Sequence, residues 1–263
     1  MTDDSTLSFS SSIDSDGTPQ HPLLISIFLH LFPGFVLIAF TFLAIPVVTS
    51  LGFPSIFALF IGIGLVIVPI ELGVLFIHAR STTGSFRLDN TVLYRETLPL
   101  RKLLTWGAAL AVWFLVFFAI STVFFDEWIA EMFFSWYPER FLEFAAVEDA
   151  GEPLTTSVLI VFLFFAFLLN GLVGPIVEEY YFRGYLLPRI GRYGRWAPLM
   201  NTILFSVYHF WTPWQNVGRI IGFYPIAWAA RRFQSTRVAI VAHVTINLIG
   251  LLGMAALFLE AAA

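Results

Sequence analysis

The chain has 263 residues, 58% of them hydrophobic and 12% charged, with a mean hydropathy of +0.83 and a net charge of −4. Such a composition excludes a soluble globular domain, and without a basic domain there is no nucleic-acid partner. The absence of cysteine removes disulfides, thiolate catalysis and thiolate metal sites.

Residues 1–20 are rich in Ser and Asp, lack Lys and Arg, and read as a disordered cytoplasmic tail. Apolar runs long enough to cross a bilayer follow at about 23–48, 56–78 and 103–125. Pro33, Gly34 and Pro46 suggest kinks in the first. A polar segment with Arg80, Arg87, Arg95, Arg101 and Lys102 separates the second from the third. Residues 126–152 form an acidic loop, and its Trp128, Phe133, Phe134, Trp136 and Tyr137 suggest an amphipathic piece lying in the interface. A fourth span begins near residue 157, followed by a basic turn with Arg189, Arg192 and Arg195. Further spans are expected at about 197–211, 217–230 and 238–258. Backbone groups in lipid must be satisfied internally, and the period-2 alternation of a barrel is absent. The expected fold is an all-α polytopic membrane protein with about seven transmembrane helices.

Twelve of the fourteen Lys and Arg residues fall after the second, fourth and sixth spans. Cytoplasmic loops carry the positive excess. The expectation is an integral (cytoplasmic-type) membrane protein with its N-terminus in the cytoplasm and its C-terminus outside.

Residues 178–183 read Glu-Glu-Tyr-Tyr-Phe-Arg at the end of the fourth span. A charged side chain at bilayer depth costs roughly 2.5–3.5 kcal/mol even on lenient scales. Arg183, four residues after Glu179, shares its helix face and can pair with it. Glu178, rotated by about 100°, is left free to act as a base. The other reading of this hexapeptide is a charge cluster at the water interface. His209 lies in the fifth span, and His243 and Asn247, four apart, lie on one face of the seventh. Counted from the cytoplasmic ends at 1.5 Å per residue, Glu178, His209, His243 and Asn247 lie roughly 13, 20, 8 and 14 Å deep. With tilt and a break near Gly174-Pro175 they can share a cavity, expected to open toward the cytoplasm. Glu71 is expected to pair with a neighbouring helix. His30, Asn170 and Asn201 are expected to hydrogen-bond between helices, and His78 to be solvated. Trp211 and Trp214 read as interface anchors, while Tyr180, Tyr181 and Phe182 pack around the site.

Glu178-Glu179-x-x-x-Arg183, Phe205-x-x-x-His209 and His243-x-x-x-Asn247, in this order on successive spans, resemble the three motifs of the CAAX-protease and bacteriocin-processing family of intramembrane proteases. The resemblance implies a catalytic core at 154–260, in the last four helices, preceded by further transmembrane helices and the interfacial loop at 21–153. It implies an endopeptidase acting in the bilayer on membrane-associated peptides, including prenylated C-terminal tails. It also implies that Glu178 and His209 activate a water while His243 and Asn247 bind the oxyanion or support the site, with Glu179 and Arg183 supporting.

The chemistry of the residues agrees with this. A carboxylate in a low-dielectric cavity becomes a base near neutrality, and an amide with an imidazole supplies oxyanion donors. Two His and one Glu (His209, His243, Glu178) equally suit zinc with an open fourth position, although no H-E-x-x-H is present. The metal-free form is the favoured reading. A proton-coupled transporter and a non-catalytic scaffold or immunity protein are the other functions such buried groups allow.

Overall fold

The computed structural model describes residues 12–13, 17–138 and 154–261. Most of the N-terminal tail and residues 139–152 of the acidic loop, with Glu139, Arg140, Glu143, Glu148, Asp149 and Glu152, lie outside the described residues.

Among these residues the chain forms seven helical units: α1 (Leu23–Ser50), α2 (Ile56–Thr83), α3 (Leu100–Phe134), α4 (Thr156–Leu186), α5 (Ala197–Val207), α6 (Asn216–Arg232) and α7 (Thr236–Ala261). Five of them, all but α5 and α6, are long and apolar enough to cross a membrane. The expected fifth and sixth spans correspond to α5 and α6, the two short helices. With 11 and 17 residues, α5 and α6 rise only about 16 and 25 Å. They form a short hairpin in which α6 packs on α3 and α5 on α1 and α4.

Two other expectations change. The aromatic stretch after residue 126 is not a separate interfacial piece but the continuation of α3 to Phe134, through a π turn at Thr122–Asp126. At 35 residues, roughly 52 Å, α3 outruns the hydrocarbon core and leaves Trp128 and Phe133 exposed beyond it. The N-terminal segment is ordered at its end. Ser12–Ile13 (β1) pairs antiparallel with Pro19–Gln20 (β2). The buried Gln20 side chain donates to the Pro188 carbonyl and accepts from the Arg192 backbone N–H.

The two ends of the bundle are distinct. At one end the loop 84–99 is stitched to 184 and 234–236 by backbone hydrogen bonds, and His21 N–H donates to the Arg189 carbonyl. Of the twelve Lys and Arg residues that follow the second, fourth and sixth expected spans, all but the buried Arg183 gather at or near this end. At the other end Tyr137 donates to the Phe210 carbonyl and Phe162 stacks edge-on against Phe57 and Phe258.

Two close approaches fix how helices meet. Gly218 and Gly222 on α6 lie four apart against Ser121 and Phe114 of α3, where an added Cβ would come within 2.6 and 2.4 Å. Small residues at this spacing let membrane helices approach where no hydrophobic effect drives them together. Gly34, read as a kink, instead lets α1 touch the turn after α5. A Cβ there would sit 2.0 Å from the Tyr208 carbonyl oxygen.

Candidate active site

Helix α4 carries the paired carboxylates and is wound unusually. Ala166–Val173 and Glu179–Leu186 are π-helical, with an α-helical turn, Gly174–Glu178, between them. The expected break at Gly174-Pro175 is therefore absorbed as wide turns in one continuous helix. In this register each N–H bonds the carbonyl five residues back, as Gly174 does to Leu169. Pro175 has no N–H to offer Asn170. The Asn247 side-chain amide supplies the missing donor, 2.8 Å from the Asn170 carbonyl. This bond ties α7 to α4 beside the site.

One turn earlier on α7, His243 makes the second tie. Its Nδ1–H donates to Glu179 Oε1 at 2.9 Å, which turns Nε2 toward Glu178 Oε2, 3.7 Å away. Glu179 Oε1 also pairs with Arg183 Nη1 at 3.1 Å, both side chains fully buried. The guanidinium lies 4.1 Å above the centre of the Phe205 ring and 5.3 Å from that of Phe223. Glu178 is held differently. The Tyr208 hydroxyl donates to its Oε1 at 2.9 Å, while Oε2 faces His243. Tyr208 was not among the expected site residues. Its place next to His209 is the signal that could have marked it.

His209 lies in the turn just past α5, not within a span. Its Nδ1–H donates to the Phe205 carbonyl at 2.8 Å, leaving Nε2 bare. It makes no direct hydrogen bond with Glu178, but both line one cavity of about 390 Å³, together with His243 and Asn247. Much of the cavity wall beyond these groups is apolar, from Leu59, Phe60, Phe118 and Leu251 among others. The lining residues that keep exposure toward its mouth include Ile56, Thr212, Gln215, Gly250 and Met254. All of these lie toward the end of the bundle opposite the basic loops. If the basic end is cytoplasmic, the cavity opens away from the cytoplasm. His209 and the α5–α6 turn place the cavity at this end of the hairpin, away from the basic loops.

Zinc would need Glu178, His209 and His243 to converge. Among the described residues no three His, Asp or Glu side chains come together closely enough to hold an ion. No step below runs through a metal.

The remaining expectations divide. His30 and Asn201 do bond between helices: His30 Nδ1–H donates to Ser26 O, and Asn201 Nδ2 donates to His30 Nε2 and to Phe182 O. Phe182 packs edge-on against Phe205 and Tyr208. His78 is only partly exposed and sits between Tyr185 and the Arg189 guanidinium, which donates to its Nε2. Trp211 and Trp214 are buried, 9% and 5% exposed, and Trp211 packs against the His209 ring, so neither is an interface anchor. Among the described residues Glu71 finds no hydrogen-bond partner on a neighbouring helix. It is fully buried where α2 packs on α4, and neither carboxyl oxygen has a hydrogen-bond donor. The sequence marks Glu71 as costly but offers no clue that it stands beside the site.

No curated protein and no solved structure matches the chain. Residues 160–249 match the family described as Type II CAAX prenyl endopeptidase Rce1-like. That segment holds Glu178, His209, His243 and Asn247, which line the cavity, and Glu179 and Arg183, which pair behind it. Over that third of the chain the protein is similar to a family of CAAX-type intramembrane proteases.

Proposed function

We propose that the protein hydrolyses peptide bonds of membrane-associated substrates with a water activated by Glu178 and His209. The observation that carries this reading is the division of labour between the adjacent carboxylates. Glu179 is engaged by Arg183 and His243, whereas Glu178 has one oxygen fixed by Tyr208 and the other turned to the cavity. Glu178 accepts a proton from the water as it attacks the scissile carbonyl. His209, with Nδ1 engaged by Phe205, offers Nε2 to the same water. For the developing oxyanion Asn247 offers its second amide N–H, and His243, whose Nδ1–H is held by Glu179, offers Nε2–H in its doubly protonated form. The proton held by Glu178 then passes to the leaving amine, which restores the carboxylate. The apolar wall beside these groups accommodates a hydrophobic side chain or a lipid chain on the substrate, prenyl groups included.

The test is cleavage of a peptide library by the purified protein in detergent. Glu178→Gln and His209→Ala should each lose nearly all turnover, and the double variant should be scarcely worse, because groups acting as one unit are non-additive. Elemental analysis and chelator treatment run alongside. Stoichiometric zinc dependent on Glu178, His209 and His243 would replace the metal-free route while keeping the same residues. A Glu178→Gln protein that still cleaves would overturn the assignment of the base.

A further inference from the structure

Arg219 stands on the first turn of α6, is 5% exposed, and lines the cavity on the same side as His209. Its guanidinium is held by four neighbouring acceptors: Nη1 by Asn216 Oδ1 at 2.9 Å and Thr212 O at 3.4 Å, Nη2 by Thr212 Oγ1 at 2.7 Å and Gln215 Oε1 at 3.1 Å. All four are neutral oxygens. Among the described residues no carboxylate lies within 4.0 Å of this cation. Asp126 of α3, also buried, accepts from Ser121 through Oδ1, and its charge and that of Glu178 act on Arg219 from a distance, without direct contact.

This differs from the other buried arginine of the site, Arg183, which has Glu179 as its ion-pair partner. A buried charge in a membrane protein ordinarily has a counter-charge, and one held only by neutral groups beside a cavity marks a place for an anion. The surrounding acceptors fix the fork in position without neutralising it. Thr212, which accepts from Nη2, is itself bonded through its backbone N–H to the His209 carbonyl, so the guanidinium sits one turn from the water-binding histidine. A guanidinium has five N–H donors in a rigid plane that matches a carboxylate.

We propose that Arg219 is a substrate-recognition residue, binding a carboxylate that the peptide carries near the scissile bond. That carboxylate is either the peptide's free C-terminus or an acidic side chain. The proposal rests on the peptidase reading and gives the same cavity a charge preference. The apolar wall takes the hydrophobic part of the substrate, and Arg219 sets how far from an anionic group the chain is cut.

The experiment compares matched peptides: free acid against C-terminal amide, and Glu against Gln at interior positions. For the anionic member of one pair, wild type should show about 10- to 100-fold higher kcat/KM, chiefly through KM, as a charge-assisted contact supplies. Preference in the acid–amide pair identifies the C-terminus, and preference in the Glu–Gln pair identifies a side chain. In Arg219→Gln the ratio should collapse toward one. Arg219→Lys keeps the charge but loses the fork, and should give an intermediate ratio. If Arg219→Gln does not fold, Arg219→Lys decides, and an undiminished ratio there overturns the proposal. Equal rates on every pair in wild type also overturn it. If wild type cleaves nothing, the peptidase reading has failed, and binding of the same peptides to Glu178→Gln protein tests the subsite separately. A preference for the anionic peptide that disappears in the Glu178→Gln/Arg219→Gln protein supports it, and no preference overturns it.

Discussion

Three acidic side chains, Glu71, Glu178 and Glu179, are buried around one arginine, and the partners of each set what its removal should do. Arg183→Ala would leave Glu179 buried with only His243 beside it. The loss should be about 3–5 kcal/mol, read as early melting or low yield. A well-folded Arg183→Ala protein that has merely lost activity would contradict the structural role. Glu71 is the opposite case. No protein group donates to either oxygen, so Glu71→Met removes a buried polar group without orphaning another. It should melt no earlier than wild type, and a loss above about 2 kcal/mol would mean that Glu71 has a partner in the working protein. The pairing of Glu179 with Arg183 is legible in the sequence because both residues lie on one helix. Tyr208 on Glu178 and Glu179 on His243 are not, since each joins different elements.

At the scale of elements, Asn247 is positioned by the winding of α4. Because Pro175 cannot donate to the Asn170 carbonyl, Asn247→Ala should strand that buried oxygen and cost about 1–3 kcal/mol, in addition to slowing turnover by roughly 10²–10³. Pro175→Ala restores a backbone N–H at the same place. In the Pro175→Ala/Asn247→Ala protein the stability should largely recover while the rate does not. If stability stays low, the carbonyl is not what Asn247 protects.

The N-terminal seam has its own signature. Burial, reinforced by the Arg189 charge, holds the His21 imidazole down to about 3. The folded protein therefore refuses a proton that the unfolded chain accepts below about pH 6.5. This contribution is complete above that pH and is lost as the pH falls, by about 1.4 kcal/mol per unit. Melting temperatures between pH 7 and 5 should drop more steeply for wild type than for His21→Gln, and parallel curves would exclude His21 as the cause. Short contacts between elements, such as Gly34 on the Tyr208 carbonyl, escape sequence reading because a glycine in an apolar run looks the same whether it kinks a helix or admits a neighbour.

At the scale of the whole molecule, the basic end and the cavity mouth lie at opposite ends of the bundle. If the basic end faces the cytoplasm, as the positive-inside tendency expects, substrates reach Glu178 from the other side. The chain has no native cysteine, so single introduced ones report cleanly. In intact cells an impermeant thiol reagent applied outside should label cysteine at Ser55 or Met254 and spare cysteine at Arg192 or Arg232. The reverse pattern would invert the orientation and place the mouth in the cytoplasm.

Composition and run length by themselves determined that the chain is a bundle of membrane helices, because backbone groups in lipid allow little else. The order and spacing of Glu178, Glu179, Arg183, His209, His243 and Asn247 determined which helices hold polar groups, since residues four apart share a helix face whatever surrounds them. Only the tertiary structure decided that α5 and α6 are the short helices of the bundle, that π turns replace a break in α4, and that the cavity faces away from the basic end. It also brought Tyr208, Glu71 and Arg219 to the site. These depend on which helix faces meet, and hydropathy is nearly uniform around a membrane helix, so the sequence pattern holds little record of the meeting.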